Sequence, residues 1–180
     1  MRVLKDDTVA IVIDVQERLH RAMSNKEQLA NNLVILIKGL KCLGVPILVT
    51  QQYTKGLGST IPPVHEALGS YSIIEKISFS CCDEPSFMKS FSQLKRKWVI
   101  ITGIESHVCI LQTVIDLLEN DYNPVLVEDC VSSRGENDKR IAVERMKSAG
   151  AVISTYESVL FELCRYAGTD TFKEISQLVK

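Results

Sequence analysis

Short, wholly apolar runs alternate along the chain with longer stretches in which apolar residues recur every three or four positions. Val9-Ala10-Ile11-Val12-Ile13 is apolar without a break and reads as a strand buried on both faces. Leu29, Leu33, Leu36, Ile37 and Leu40 share one helix face, and Gly44 ends that helix. Val45 to Val49 form a second strand, and Ile73-Ile74 begin a short third. Lys97 to Ile101 form a fourth, followed by helical spacing at Val108, Leu111, Ile115 and Leu118. Pro124 opens a fifth strand, Val125-Leu126-Val127. A helix from about Asn137 to Ala149, stopped by Gly150, leads to a sixth, Ala151-Val152-Ile153, and the remainder reads as helical.

Continuous β-branched runs alternating with helices predict an α/β fold. It is doubly wound and Rossmann-like, with six parallel strands and helices on both faces. The 180 residues are enough for one domain with a substantial core, so residues 1–180 are read as a single unit. Ligands in such sheets bind beyond the carboxyl ends of the strands. The residues there are Asp14, Gln51 and Gln52, Glu75-Lys76, Thr102 to Cys109, and Glu128-Asp129.

Charge narrows the partners. Lys and Arg number 21 against 22 Asp and Glu, a net charge of −1, which makes no electrostatic case for nucleic acid or an anionic membrane. No apolar stretch approaches the roughly 18 residues that span a bilayer. The segment Met1 to Thr8 has no long apolar run, and none of the six cysteines forms a Cys-x-x-Cys pair. Together these predict a cytoplasmic protein with reduced thiols.

Cys109 stands out among the thiols. It follows Thr102-Gly103-Ile104-Glu105-Ser106-His107-Val108 and lies in the first turn of the helix after strand four. Unpaired N–H groups and the positive dipole end there favour a thiolate. Strand, sharp turn, nucleophile and helix have the layout of a nucleophile elbow, without its Gly-x-Ser-x-Gly sequence. Asp14, Lys76 and Cys109 supply one acid, one amine and one thiol at three strand ends. A thiolate attacks a carbonyl, a carboxylate takes the thiol proton and returns it to a leaving amine, and an ammonium holds both in place. Taken singly, Asp14 is a turn residue as readily as a base, Lys76 a surface charge, and Cys109 a core residue.

The segments Val12 to Gln16, Thr50 to Gly58, Glu75-Lys76 with Phe79-Ser80, Thr102 to Cys109, and Val127 to Arg134 fall in order from about residue 8 to 165. In them the chain resembles the isochorismatase-like cysteine hydrolase family, most closely the small isochorismatase-domain-containing proteins of eukaryotes. The resemblance implies an Asp-Lys-Cys triad at Asp14, Lys76 and Cys109. It implies a non-proline cis peptide at Ile104-Glu105, which aims the Glu105 and Cys109 amides at one oxyanion. It also implies a homo-oligomer (dimer, tetramer or octamer), for which Leu57, Ile61 and Val64 are the candidate exposed apolar residues.

Two departures refine the expectation. Family members that hydrolyse nicotinamide carry an Asp-x-His pair and a further His as metal ligands after the second strand. Here that region reads Gln51-Gln52-Tyr53-Thr54-Lys55-Gly56, and His20, His65 and His107 are scattered, so no metal and no cofactor is expected. Isochorismate hydrolases lack a nucleophilic cysteine, so Cys109 points to another bond: an amide, imide, carbamate or ureide in a small molecule. Gln16, Gln51, Tyr53, Phe79, His107 and Ser133 are the candidate pocket residues. Cys81-Cys82 line the pocket or simply pack. Gly56-Leu57-Gly58 reads as a glycine hinge, over the pocket or against a neighbouring subunit. Ser132-Ser133-Arg134 binds an anionic group or caps the next helix. A Cys109–His107 dyad conflicts with the i, i+2 spacing. Two other readings stand beside hydrolysis: a ligand-binding scaffold with little catalysis, and a redox sensor using Cys109 with a resolving thiol at Cys81, Cys82 or Cys130.

Overall fold

A computed structural model describes residues 2–180. In chain order its elements are β1 (Thr8–Ile13), α1 (Glu17–Arg21), α2 (Lys26–Cys42), β2 (Ile47–Gln52), α3 (Thr54–Leu57), α4 (Pro62–Leu68), β3 (Ile73–Lys76), α5 (Pro85–Gln93) and β4 (Trp98–Ile104). A π-helical turn at Ser106–Ile110 then leads into α6 (Leu111–Glu119). The chain finishes with β5 (Asn123–Ser132), α7 (Glu136–Ala149), β6 (Val152–Ser154), α8 (Tyr156–Cys164) and α9 (Asp170–Leu178). All the strand pairings are parallel, in the order β3-β2-β1-β4-β5-β6.

Strand parity sorts the core into two layers. Val9, Ile11 and Ile13 of β1 pack with Phe87 and Phe91 of α5, Val114 and Leu117 of α6, and Met146 of α7. Ala10 and Val12 face the opposite layer, with Leu33, Leu36 and Leu40 of α2, Val64 of α4, and Leu160 of α8. Both faces are covered, which is why the strand sequences are apolar without alternation. Helix ends follow local chemistry. Thr155 and Thr169 cap α8 and α9 with their hydroxyls. Gly150, at φ +117°, closes α7 while the Ala151 N–H bonds the Met146 carbonyl.

Several strands run further than their apolar cores. β2 continues to Gln52, β3 to Lys76, β4 to Ile104 and β5 to Ser132. Backbone pairing does not depend on side-chain polarity, so the ladder carries polar residues out to the site. One expectation is corrected: Ile61 and Val64 are 5% and 0% exposed and pack beneath α2, while Leu57 is half-buried, so they do not form an open apolar surface.

The strand order reverses direction between β1 and β4, and this switch point opens the crevice used by ligands in doubly wound sheets. Gly103 lets the two strands meet there. Its φ is +119°, the pairing of β4 with β5 shifts register between Ile101 and Gly103, and a Cβ would lie 2.0 Å from the Ile13 carbonyl oxygen. A side chain at this position must push β1 away just where Asp14 follows. Gly103→Ala is therefore expected to cost about 3 kcal/mol in urea unfolding. Gly168→Ala, where φ is +84° and nothing lies within 4 Å, should cost only about 1 kcal/mol.

Candidate active site

Asp14 and Lys76 form an ion pair inside the protein. Asp14 Oδ2 lies 2.6 Å from Lys76 Nζ, and both side chains are fully buried. Asp14 leaves β1 in the left-handed region, φ +53°, which turns its carboxylate over the end of the sheet. The Thr50 hydroxyl donates to Asp14 Oδ1 at 2.7 Å. Lys76 Nζ donates to Gln52 Oε1 at 2.8 Å and to the carbonyls of Ser78 at 3.1 Å and Phe79 at 3.0 Å. These three acceptors surround the ammonium on the sides away from Asp14 Oδ2. Burial is the largest single influence and pulls Lys76 toward neutrality, but the Asp14 charge and hydrogen bond together with the neighbouring Cys109 and Cys81 outweigh it, so Lys76 is held above its ordinary value.

Cys109 completes the cluster. The Asp14 and Lys76 charges both act on its thiol, in opposite senses, and the residue is 6% exposed. The turn that carries it is wider than an ordinary helical start. Ile110 N–H bonds the Glu105 carbonyl and Leu111 N–H bonds that of Ser106, both five residues back. The helix proper begins only at Leu111. The Ile104–Glu105 peptide is cis. Glu105 Oε2 accepts from Arg134 N at 3.2 Å and from Arg134 Nε at 3.0 Å, and Ser106 Oγ donates to the Ser132 carbonyl at 3.0 Å. These bonds tie the turn to the end of β5.

The helix-end expectation for the thiol is overturned. Burial pushes Cys109 up to about 12, the Asp14 charge pushes in the same direction, and only Lys76 opposes them. The resting group is a neutral thiol. Cys81 shares this environment: burial pushes it to about 12 as well, with Lys76 and Asp14 again acting in opposite senses.

The remaining expected residues divide. Gln16 is buried and clamps β2 to the following loop, accepting from Gln52 N at 2.7 Å and donating to the carbonyls of Gln52 at 3.0 Å and Gly58 at 2.7 Å. Gln51 turns to Thr60 and Thr54, not to the ion pair. Tyr53 and Phe79 are about half exposed, at 50% and 54%. The Phe79 carbonyl, not its ring, touches Lys76. His107 Nδ1 pairs with Ser133 Oγ at 2.9 Å, and His107 lines a 280 Å³ cavity with Asp83, Leu111 and Asp116. Ser133 therefore holds His107, and the residue at the N-terminus of α7 is Gly135. The glycine segment is not a free hinge: it folds into α3, with the Gly56 carbonyl bound by Arg18 at 2.6 Å and Thr54 N by Glu75 at 2.8 Å. Sequence reasoning missed Thr50 and the role of Gln52. Strand parity was the available signal, since Thr50 and Gln52 share the face that Gln51 does not.

An isochorismatase domain model matches residues 8–158, and the chain belongs to the isochorismatase family. Mouse isochorismatase domain-containing protein 2A is 35% identical over 99% of this chain and 85% of its own length. Among solved structures, the MAR1 ribonuclease of Caenorhabditis elegans superposes with a TM-score of 0.93 at 35% identity, covering 99% of this chain and 92% of that one. The YcaC product of Escherichia coli, described as an octameric hydrolase of unknown specificity, has the same fold (TM-score 0.93, 23% identity, 99% and 89% coverage).

The charges around Cys109 set a testable sign. Alkylation by iodoacetamide should rise by about tenfold per pH unit well past 8.5, toward the thiol's own value of about 12. Asp14→Asn removes a charge that opposes ionisation and should shift the pH-dependent rise of alkylation to lower pH. Lys76→Met removes the favourable charge and should slow it. A rate that levels off near pH 8 in the unmodified protein would contradict this electrostatic account.

Proposed function

We propose that this protein is a metal-independent cysteine hydrolase that cleaves a small, non-peptide C–N bond. The substrate class is an amide, imide, carbamate or ureide, and the reaction passes through a Cys109 acyl-enzyme. The observation that carries the proposal is the fully buried Asp14–Lys76 ion pair with Cys109 beside it, both charges acting on the thiol in opposite senses.

The chemistry follows from that arrangement. Cys109 sulfur attacks the substrate carbonyl carbon while Asp14 takes the thiol proton, so a free thiolate need not accumulate. The oxyanion formed is received by the Glu105 and Cys109 amides. Collapse breaks the C–N bond, and Asp14 returns its proton to the leaving nitrogen. Water then attacks the thioester, Asp14 accepts a proton from it, and the acid product leaves with the Cys109 thiol restored. Lys76 stays cationic throughout and offsets the charge that Asp14 and the transition state share.

Rival readings have less support. A peroxide sensor works through a thiolate, and a thiol pushed to about 12 offers little of it. The name of the worm relative invites a nuclease reading, but the net charge of −1 offers no electrostatic footprint for a phosphate backbone. Cytoplasmic residence and self-association are part of the proposal. Six free thiols support the first. For the second, Ile73, Ile77 and Phe79 are exposed apolar residues on and just beyond the edge strand β3.

Turnover across a panel of small amides and ureides tests the central step. Cys109→Ala and Asp14→Asn should each lower kcat/KM by about 1,000-fold or more without changing the far-ultraviolet circular dichroism. An active Cys109→Ala protein would sink the mechanism.

A further inference from the structure

We infer that Thr50 is a positioning residue for the proposed reaction: its hydroxyl aims Asp14 and sets how readily that carboxylate exchanges the Cys109 proton. The inference rests on the hydrolase reading above. Thr50 lies in β2, opposite Ile13 in the parallel register, and is fully buried. The strand around it, Ile47-Leu48-Val49, is aliphatic. Valine has the same shape as threonine and is an ordinary occupant of a buried parallel strand. A hydroxyl in its place costs desolvation unless it is bonded. Its bond goes to Asp14 Oδ1 at 2.7 Å. The Thr50 backbone addresses the same residue, its carbonyl accepting from Asp14 N at 3.2 Å.

The consequence is geometric. A carboxylate is free to rotate about its bond to Cβ. Lys76 Nζ holds Oδ2 at 2.6 Å. The hydroxyl of Thr50 pins the other oxygen, Oδ1, and with Lys76 it sets the plane of the carboxylate. The charged and titratable groups facing Asp14 are Lys76 from β3, Cys109 from the π-helical turn, and Cys81 from the segment before α5. None of them is altered by a change at position 50.

Pre-steady-state acylation by p-nitrophenyl acetate, followed as p-nitrophenolate release across pH, provides the test. Thr50→Val should acylate about 10- to 100-fold more slowly than the unmodified protein. Thr50→Ser should restore the rate across the same pH range. A Thr50→Val profile that superimposes on the unmodified one would overturn the inference, as would a Thr50→Ser protein as slow as the valine variant. Circular dichroism identifies a valine variant that has not folded, in which case the serine variant decides: an unmodified rate supports the hydroxyl role, and a slow, folded serine variant rejects it. If the unmodified protein is not acylated on Cys109 at all, the failure lies with the hydrolase proposal, not with Thr50.

Discussion

The buried ion pair between Asp14 and Lys76 is the constraint on which the site depends. Removing two charges from water costs several kcal/mol for each, and the pair tolerates that only with close contact and further hydrogen bonds. Both are present. The charged atoms are 2.6 Å apart, Thr50 supports one carboxylate oxygen, and Gln52 with the carbonyls of Ser78 and Phe79 surrounds the ammonium. Because these groups come from β1, β2, β3 and the segment after β3, the pair ties one half of the sheet together at its carboxyl end.

The other half of the sheet brings the thiol beside that pair. β1 and β4 lie side by side at the point where strand order reverses, so Asp14 and the turn after Ile104 emerge together. Gly103 permits the close approach, and the wide turn at Ser106–Ile110 sets Cys109 toward the ion pair instead of along an ordinary first helical turn. Glu105 with Arg134 and Ser106 with Ser132 anchor the turn to β5. Burial makes the sulfur a poor acid on its own, and the proposed reaction therefore gives its proton to Asp14 as sulfur attacks.

Much of this was legible in the sequence because buried parallel strands have a distinctive composition. Val9 to Ile13 and Trp98 to Ile101 have no polar interruption, so strand, direction and layer followed, and with them Asp14, Lys76 and Cys109 at strand ends. What escaped depended on side-chain direction and competing energies. Gln51 and Gln52 look equivalent in sequence, but strand alternation turns only Gln52 to Lys76. Ile61 and Val64 look like surface residues after a glycine loop, yet α4 docks under α2 and buries them. The thiol's position at a helix start argued for easy ionisation, and burial won because a few backbone dipoles do not replace the hydration lost by a nearly enclosed sulfur. A wide first turn leaves no mark in the residue pattern at all.

The proposed reaction comes down to one covalent bond, and its detection is the most direct test. The protein is mixed with a small activated acyl donor, quenched in acid within milliseconds to seconds, and digested for peptide mass mapping. The account predicts an acyl group on Cys109 that disappears as hydrolysis proceeds and is absent when Cys109 is alanine. Acylation that leaves Cys109 unmodified, or that persists at the same level in the alanine variant, would contradict it.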